Sequence, residues 1–146
     1  MGGGAAVDRA MDQLFDLAVV LGELMNRRLA GHGLTPARAE VLWVIHGTGP
    51  RTQRELSQVL KCTPRNVTGL VDALQAAGFV ERTAHPTDRR ATMVRLSEQG
   101  RSLIAGWTAD REHGTAQVLG GIPADELTVF SAVLDRVLTQ LRATYA

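Results

Sequence analysis

The stretch from Thr63 to Ser97 constrains the fold of this chain more than any other. It opens Thr63-Pro64-Arg65-Asn66-Val67-Thr68-Gly69-Leu70-Val71 and passes through Gly78-Phe79-Val80 and His85-Pro86-Thr87-Asp88-Arg89-Arg90. It ends Val94-Arg95-Leu96-Ser97. Threonine followed by proline is a helix start: the hydroxyl caps a free amide, and the fixed φ of proline suits a first turn that does not need its missing N–H. Val67, Leu70, Val71 and Leu74 recur at i, i+3, i+4 and i+7, which predicts an amphipathic helix. Arg65, Asn66, Thr68, Gly69 and Asp72 fall off that stripe. Gly78 suits the left-handed cap that would stop the helix. Two short extended segments follow, about 79–84 and 91–96. In the second, Thr92, Val94 and Leu96 alternate with Met93 and Arg95, the period of a strand. The segment therefore reads as a capped helix with a polar leading end, a glycine stop and a hairpin with a basic tip.

Helices are predicted on both sides. Residues from Asp8 to about Leu29 carry Leu14, Leu17, Ala18, Leu21, Leu24 and Met25 at helical spacings, and Met11, Phe15 and Val19 widen the apolar face. A face that broad on a terminal helix suits more than one neighbour. Met1-Gly2-Gly3-Gly4 reads as a loose start. Thr35-Pro36 opens a second helix to about His46, with Val41, Leu42, Val44 and Ile45 for the core, and Gly47-Thr48-Gly49-Pro50 breaks it. Thr52-Gln53-Arg54-Glu55 is a capping box, hydroxyl at the cap and carboxylate three residues on. It heads a short helix with Leu56, Val59 and Leu60 inward. Ser97 caps a helix holding Leu103, Ile104 and Trp107. Pro123 opens the last, with Leu127, Phe130, Val133, Leu134, Val137, Leu138 and Leu141 at helical spacing.

At 146 residues and 45% hydrophobic content, the chain is long enough for one domain with a real core. No apolar run approaches the roughly 18–20 residues that span a membrane. A single cysteine, Cys62, makes no internal disulfide, which fits a reducing cytoplasm. The formal net charge of +1 hides an uneven distribution: residues 51–95 hold eight basic and four acidic side chains, and the remainder holds eight basic and eleven acidic. The basic surplus sits on the capped helix and its hairpin, where phosphates would be met.

A helix that offers short polar side chains at its leading end can enter a DNA major groove, and an arginine-tipped hairpin can reach phosphates or an adjacent minor groove. Together they make the winged form of the helix-turn-helix. Arg65, Asn66, Thr68 and Gly69 are the major-groove candidates: arginine pairs with guanine and asparagine with adenine, threonine bonds or touches a thymine methyl, and glycine admits the backbone. Thr63 and Pro64 head the same helix, Thr63 within reach of phosphate. Gln53 and Arg54, at the head of the supporting helix, are candidates for the DNA backbone. In an extended wing tip Asp88 would brace the Arg90 guanidinium while Arg89 faces phosphate, with His85 and Thr87 as further contacts. Nothing pairs a nucleophile with a base and no glycine-rich phosphate loop appears, so an enzyme is not expected. No cofactor is expected either. His32, His46, His85 and His113 show no ligand spacing, so no metal is expected. Cys62, in the turn between the two reader helices, reads as a small inert residue. The competing reading is a winged helix used only for protein contact or dimerisation.

On these residues the chain resembles the MarR family of bacterial winged-helix transcription regulators over nearly its whole length. The wing pattern Asp88-x-Arg90, followed by Val94-x-Leu96-Ser97 and Gly100, is the most specific piece. The resemblance implies a mainly α fold with a small β-hairpin wing, in a single 1–146 domain. Residues 34–97 would form the winged-helix DNA-binding region, and 5–33 and 98–146 the helical dimerisation region. It implies a cytoplasmic homodimer on double-stranded DNA, bound at a near-palindromic site, with repression as the default. It also implies release by a small aromatic or lipophilic ligand. Trp43, His46 and Trp107 are the candidates to line that effector pocket, against the reading of the tryptophans as ordinary core.

Overall fold

The computed structural model describes residues 3–145. Six helices and three short strands follow in the order α1 (Gly3–Ala30), α2 (Pro36–Thr48), β1 (Arg51–Thr52), α3 (Gln53–Leu60), α4 (Pro64–Ala76), β2 (Val80–Ala84), β3 (Thr92–Leu96), α5 (Glu98–Leu119) and α6 (Ala124–Tyr145). The chain divides into two compact units, residues 1–104 and 105–146, and the division falls within α5. Among the described residues no helix is long and apolar enough to cross a membrane.

Caps set the helix boundaries. Thr35 Oγ1 accepts the Arg38 amide at 3.3 Å, and Thr63 Oγ1 accepts the Asn66 amide at 3.2 Å. Thr52 and Glu55 form the reciprocal capping box: the Glu55 amide donates to Thr52 Oγ1 at 3.1 Å, and the Thr52 amide donates to Glu55 Oε2 at 2.8 Å. Each such cap is worth about 1 kcal/mol. Helix α1 begins earlier than its apolar stripe: Gly3 and Gly4, expected to be loose, lie in its first turn, while Met1 and Gly2 are outside the described residues. Helix α2 runs two residues past His46 before Gly49, whose φ of 79° ends it.

The sheet has the order β1-β3-β2, antiparallel throughout. The hairpin β2–β3 pairs Val80 with Leu96 and Arg82 with Val94. β1 was not expected. Two residues are too few to show an alternation, and the pairing of Arg51 with Val94 becomes possible only once the hairpin is in place.

The core of residues 1–104 is built from one or a few side chains per element: Val41 and Leu42 from α2, Leu56 from α3, Val67, Val71 and Leu74 from α4, Val80 from β2, Val94 from β3 and Ile104 from the start of α5, all fully buried. Burial of each is worth about 1.5–3 kcal/mol. Some expected core positions differ, among them Val44 and Leu60, which are only half-buried. Val59 is 55% exposed, because an eight-residue helix packed on one side presents it to solvent, and Leu70 is only half-buried.

The corner joining reader to α5 is tightly specified. Gly78 has φ 83°, and the Phe79 amide closes back on Leu74 O at 2.9 Å. Ser97 Oγ donates to Gly78 O at 2.5 Å and accepts the Gly100 amide at 3.0 Å. The first turn of α5 presses so closely on this corner that a Cβ at Gly100 would collide with the carbonyl oxygen of Phe79.

Candidate nucleic-acid interface

The leading turns of α4 stand free of the core. Thr63, Pro64, Arg65, Asn66, Thr68 and Gly69 are all exposed, while Val67 and Val71 anchor the opposite face. Residues 65, 66 and 69 share one face by helical geometry. Arg65, Asn66 and Gly69 line a groove of about 510 Å³ together with Arg38 and Glu40 of α2 and Cys62. An ideal Cβ at Gly69 would meet nothing within 4 Å, so internal packing does not require glycine there.

Thr68 and Gln53 are more committed than expected. Thr68 Oγ1 donates to Pro64 O at 2.9 Å and accepts from Gln53 Nε2 at 3.0 Å. Its hydroxyl proton is therefore spent within the helix, as mid-helix threonines commonly do, and its methyl is the group left to meet a base. Gln53 Oε1 accepts from Arg82 Nε at 3.2 Å, so both ends of this side chain are held inside the protein. Arg54 beside it is exposed.

The wing tip departs from the extended geometry expected of it. Residues 88–91 form a turn in which the Ala91 amide donates to Asp88 O at 3.1 Å. Asp88 Oδ1 accepts the backbone amide of Arg90 at 2.9 Å. Among the described residues no ion pair joins Asp88 to the Arg90 guanidinium. The carboxylate thus braces the backbone of Arg90 and not its side chain, because a turn does not place residues two apart on one side as a strand would. His85 is half-buried, with Nδ1 accepting the amides of Thr87 at 3.2 Å and Asp88 at 3.0 Å. It shapes the tip from within through these two backbone amides. Thr87, Arg89 and Arg90 are exposed.

Sequence reasoning missed Arg82, Asp72 and Gln75. Arg82 Nη2 meets Asp72 Oδ1 at 2.6 Å, and Arg82 Nη1 also donates to Gln75 Oε1. The three-residue spacing of Asp72 and Gln75 on one helix face was visible, but the strand residue that joins them was not. Glu55 sits in the first turn of α3, bonded to Thr52. Its carboxyl is held below the usual carboxylate range, first by the Thr52 amide; the Thr52 hydroxyl and the charges of Arg51 and His85 act the same way against an opposing effect of burial.

The effector candidates fall in different units. Trp43 and His46 sit on the surface of α2 with ring centroids 5.8 Å apart, edge to face at 80°. Trp107 belongs to residues 105–146 and is buried. Among the described residues no group of three His, Cys, Asp or Glu side chains is arranged to hold a metal.

Comparison with known proteins agrees with this arrangement. A model of the MarR family matches residues 32–91. The chain is 25% identical over 117 residues to the HTH-type transcriptional regulator MhqR of Bacillus subtilis, covering 80% of this chain and 81% of that one. It is 26% identical over 133 residues to the HTH-type transcriptional repressor YetL of the same organism, covering 88% and 78%. The fold matches a MarR family protein from Bacillus stearothermophilus with a TM-score of 0.75, at 24% identity, over 97% of this chain and 99% of that one. It also matches a mutant of S. aureus MepR bound to an oligodeoxyribonucleotide, with a TM-score of 0.69 at 18% identity, over 90% and 97%. A capped helix with an exposed leading end, a supporting helix locked by its capping box, a three-stranded wing and these relatives point one way: the chain is similar to the MarR family of winged helix-turn-helix transcription regulators, whose model matches residues 32–91.

Proposed function

We propose that the protein represses transcription by binding a near-palindromic operator as a cytoplasmic homodimer, and that it is a regulator and not an enzyme. Residues 34–97 read DNA, and the helices in 5–33 and 98–146 join the protomers. The observation that carries the reading is the exposed leading face of α4, where Arg65, Asn66 and Gly69 line one groove with no packing duty toward the core. Arg65 and Asn66 have the donors and acceptors to read guanine and adenine edges. Arg89 and Arg90 at the wing tip supply phosphate or minor-groove contact. Repression is supported by the likeness to a transcriptional repressor, and DNA binding by the likeness to MepR on an oligodeoxyribonucleotide.

The dimer is supported by apolar surface that each terminal helix leaves open. On α1, Val7, Met11, Phe15 and Val19 are exposed, and only Leu29 is buried. On α6, Phe130, Val133, Leu138 and Leu141 are exposed, and none of its residues is buried. An obligate interface covers upward of about 2,000 Å² of such surface. Two reading helices related by a twofold axis would then meet half-sites about one helical turn apart. A small aromatic or lipophilic ligand releases the DNA, with Trp43 and His46 as its candidate contacts on residues 1–104.

Selection from a random duplex library tests the reading: a palindromic consensus is expected, and recovery without sequence preference refutes it in favour of a protein-contact module. Sedimentation at micromolar concentration should give a dimer, and a folded monomer refutes that part.

A further inference from the structure

The Arg82 guanidinium holds side chains on two different helices at once. Its Nε donates to Gln53 Oε1 at the head of α3, its Nη1 to Gln75 Oε1 and its Nη2 to Asp72 Oδ1, both on α4. Gln53 passes the linkage on: its Nε2 donates to Thr68 Oγ1, and Thr68 donates to Pro64 O in the first turn of α4. Arg82 lies in the middle of β2, paired with Val94, which is fully buried. The strand is thus fixed by the sheet while its guanidinium grips the two reader helices. We infer that Arg82 is a positioning residue for base reading, one that ties the wing to the leading turns of α4 and sets how the reading side chains are presented.

This inference rests on the DNA-reading function proposed above. The alternative, that Arg82 itself binds phosphate, fits the site poorly. Its side chain is 24% exposed against 61% for Asp72, and the carboxylate already neutralises it. At the wing tip Arg89 and Arg90 are exposed instead. The chemistry favours arginine specifically. A planar guanidinium presents several donors in a fixed fork, whereas a lysine ammonium is a point charge on a flexible stem. Gln53 also needs Arg82 for its orientation. With its carbonyl held by the guanidinium, its amide nitrogen must face Thr68.

The decisive variant is Arg82→Lys in the full chain, compared with wild type on the selected operator and on a scrambled duplex. Operator affinity should fall about tenfold or more, the scale of a misplaced base contact. Scrambled-duplex affinity, the salt slope and the melting temperature should stay near the wild-type values. Adding Gln53→Ala to Arg82→Lys should cost less than Gln53→Ala alone. A parallel loss on both duplexes with a flattened salt slope would make Arg82 a phosphate contact. Parallel loss with a lowered melting temperature would make it merely structural, and unchanged operator affinity would leave only its charge. Each of these overturns the inference. Amide hydrogen exchange on the DNA-free protein provides the independent arm: Arg82→Lys should speed exchange in residues 64–69 and 80–84, and unchanged exchange overturns the linkage. If wild type shows no sequence preference, the DNA-reading function fails, and the exchange measurement still decides whether Arg82 holds wing and helix together.

Discussion

Replacing Gly69 with alanine should make the protein more stable and a worse DNA binder. Gly69 lies within α4, not at its end, and is exposed, with open space where a Cβ would stand. Glycine inside a helix is less favourable than alanine by about 0.5–1 kcal/mol, because the unfolded chain loses more freedom on folding. With no neighbour to strike, Gly69→Ala recovers that amount. At this chain length it should raise the melting temperature by about 2–4 °C. On the operator the same methyl stands beside Arg65 and Asn66, one turn along the same face, where α4 must approach the bases. Holding the helix off by a fraction of an ångström should weaken both base contacts, at about 1–3 kcal/mol each. Calorimetry without DNA and fluorescence anisotropy with the selected operator measure the two effects on one preparation. Higher stability with unchanged operator affinity would refute the placement of Gly69 against DNA. Lower stability would refute the account of its surroundings.

Gly100→Ala should behave in the opposite way, because its Cβ would strike the Phe79 carbonyl; overpacking of this kind costs about 1–3 kcal/mol, read by urea unfolding. At the wing, Asp88→Asn keeps an oxygen to accept the Arg90 amide and should hold operator affinity, whereas Asp88→Ala removes the acceptor and should weaken binding although it deletes a negative charge. Equal affinities for the two variants would show that bracing contributes nothing. Glu55 has a folded-state pKa below its unfolded value of 4.5, so its contribution to stability is complete above that value and is lost as pH falls from there through the lower folded-state pKa. Glu55→Gln should therefore flatten the acid limb of a stability-against-pH curve, and an unchanged acid limb would refute the assignment.

The helices were legible in the sequence because their signals are local. Thr63-Pro64, Thr35-Pro36 and the Thr52–Glu55 box each satisfy amides within their own first turn, and the structure places caps at all three. Val67, Val71 and Leu74 are fully buried as their spacing requires. Leu70 belongs to the same pattern, yet it lines the surface groove beside Gly69. A stripe gives a direction on the helix but not the width of the neighbour that covers it. Val59 is exposed for the same reason.

The wing tip shows where period-based reasoning stops. Treating Asp88 and Arg90 as strand residues put both side chains on one side and suggested an ion pair. In the structure Asp88 and His85 spend their acceptors on backbone amides, so the tip is a turn. A side chain that fixes the backbone still orders what the backbone carries: Arg90 is held at its amide while its side chain stays exposed. Arg82 uses the opposite arrangement, with its backbone in the ladder and its guanidinium committed to α3 and α4. One arginine leaves its fork in solvent and the other spends it on the scaffold. Composition counts the two alike, because both add one charge to the same basic segment, and only the partners of each nitrogen separate reading from positioning.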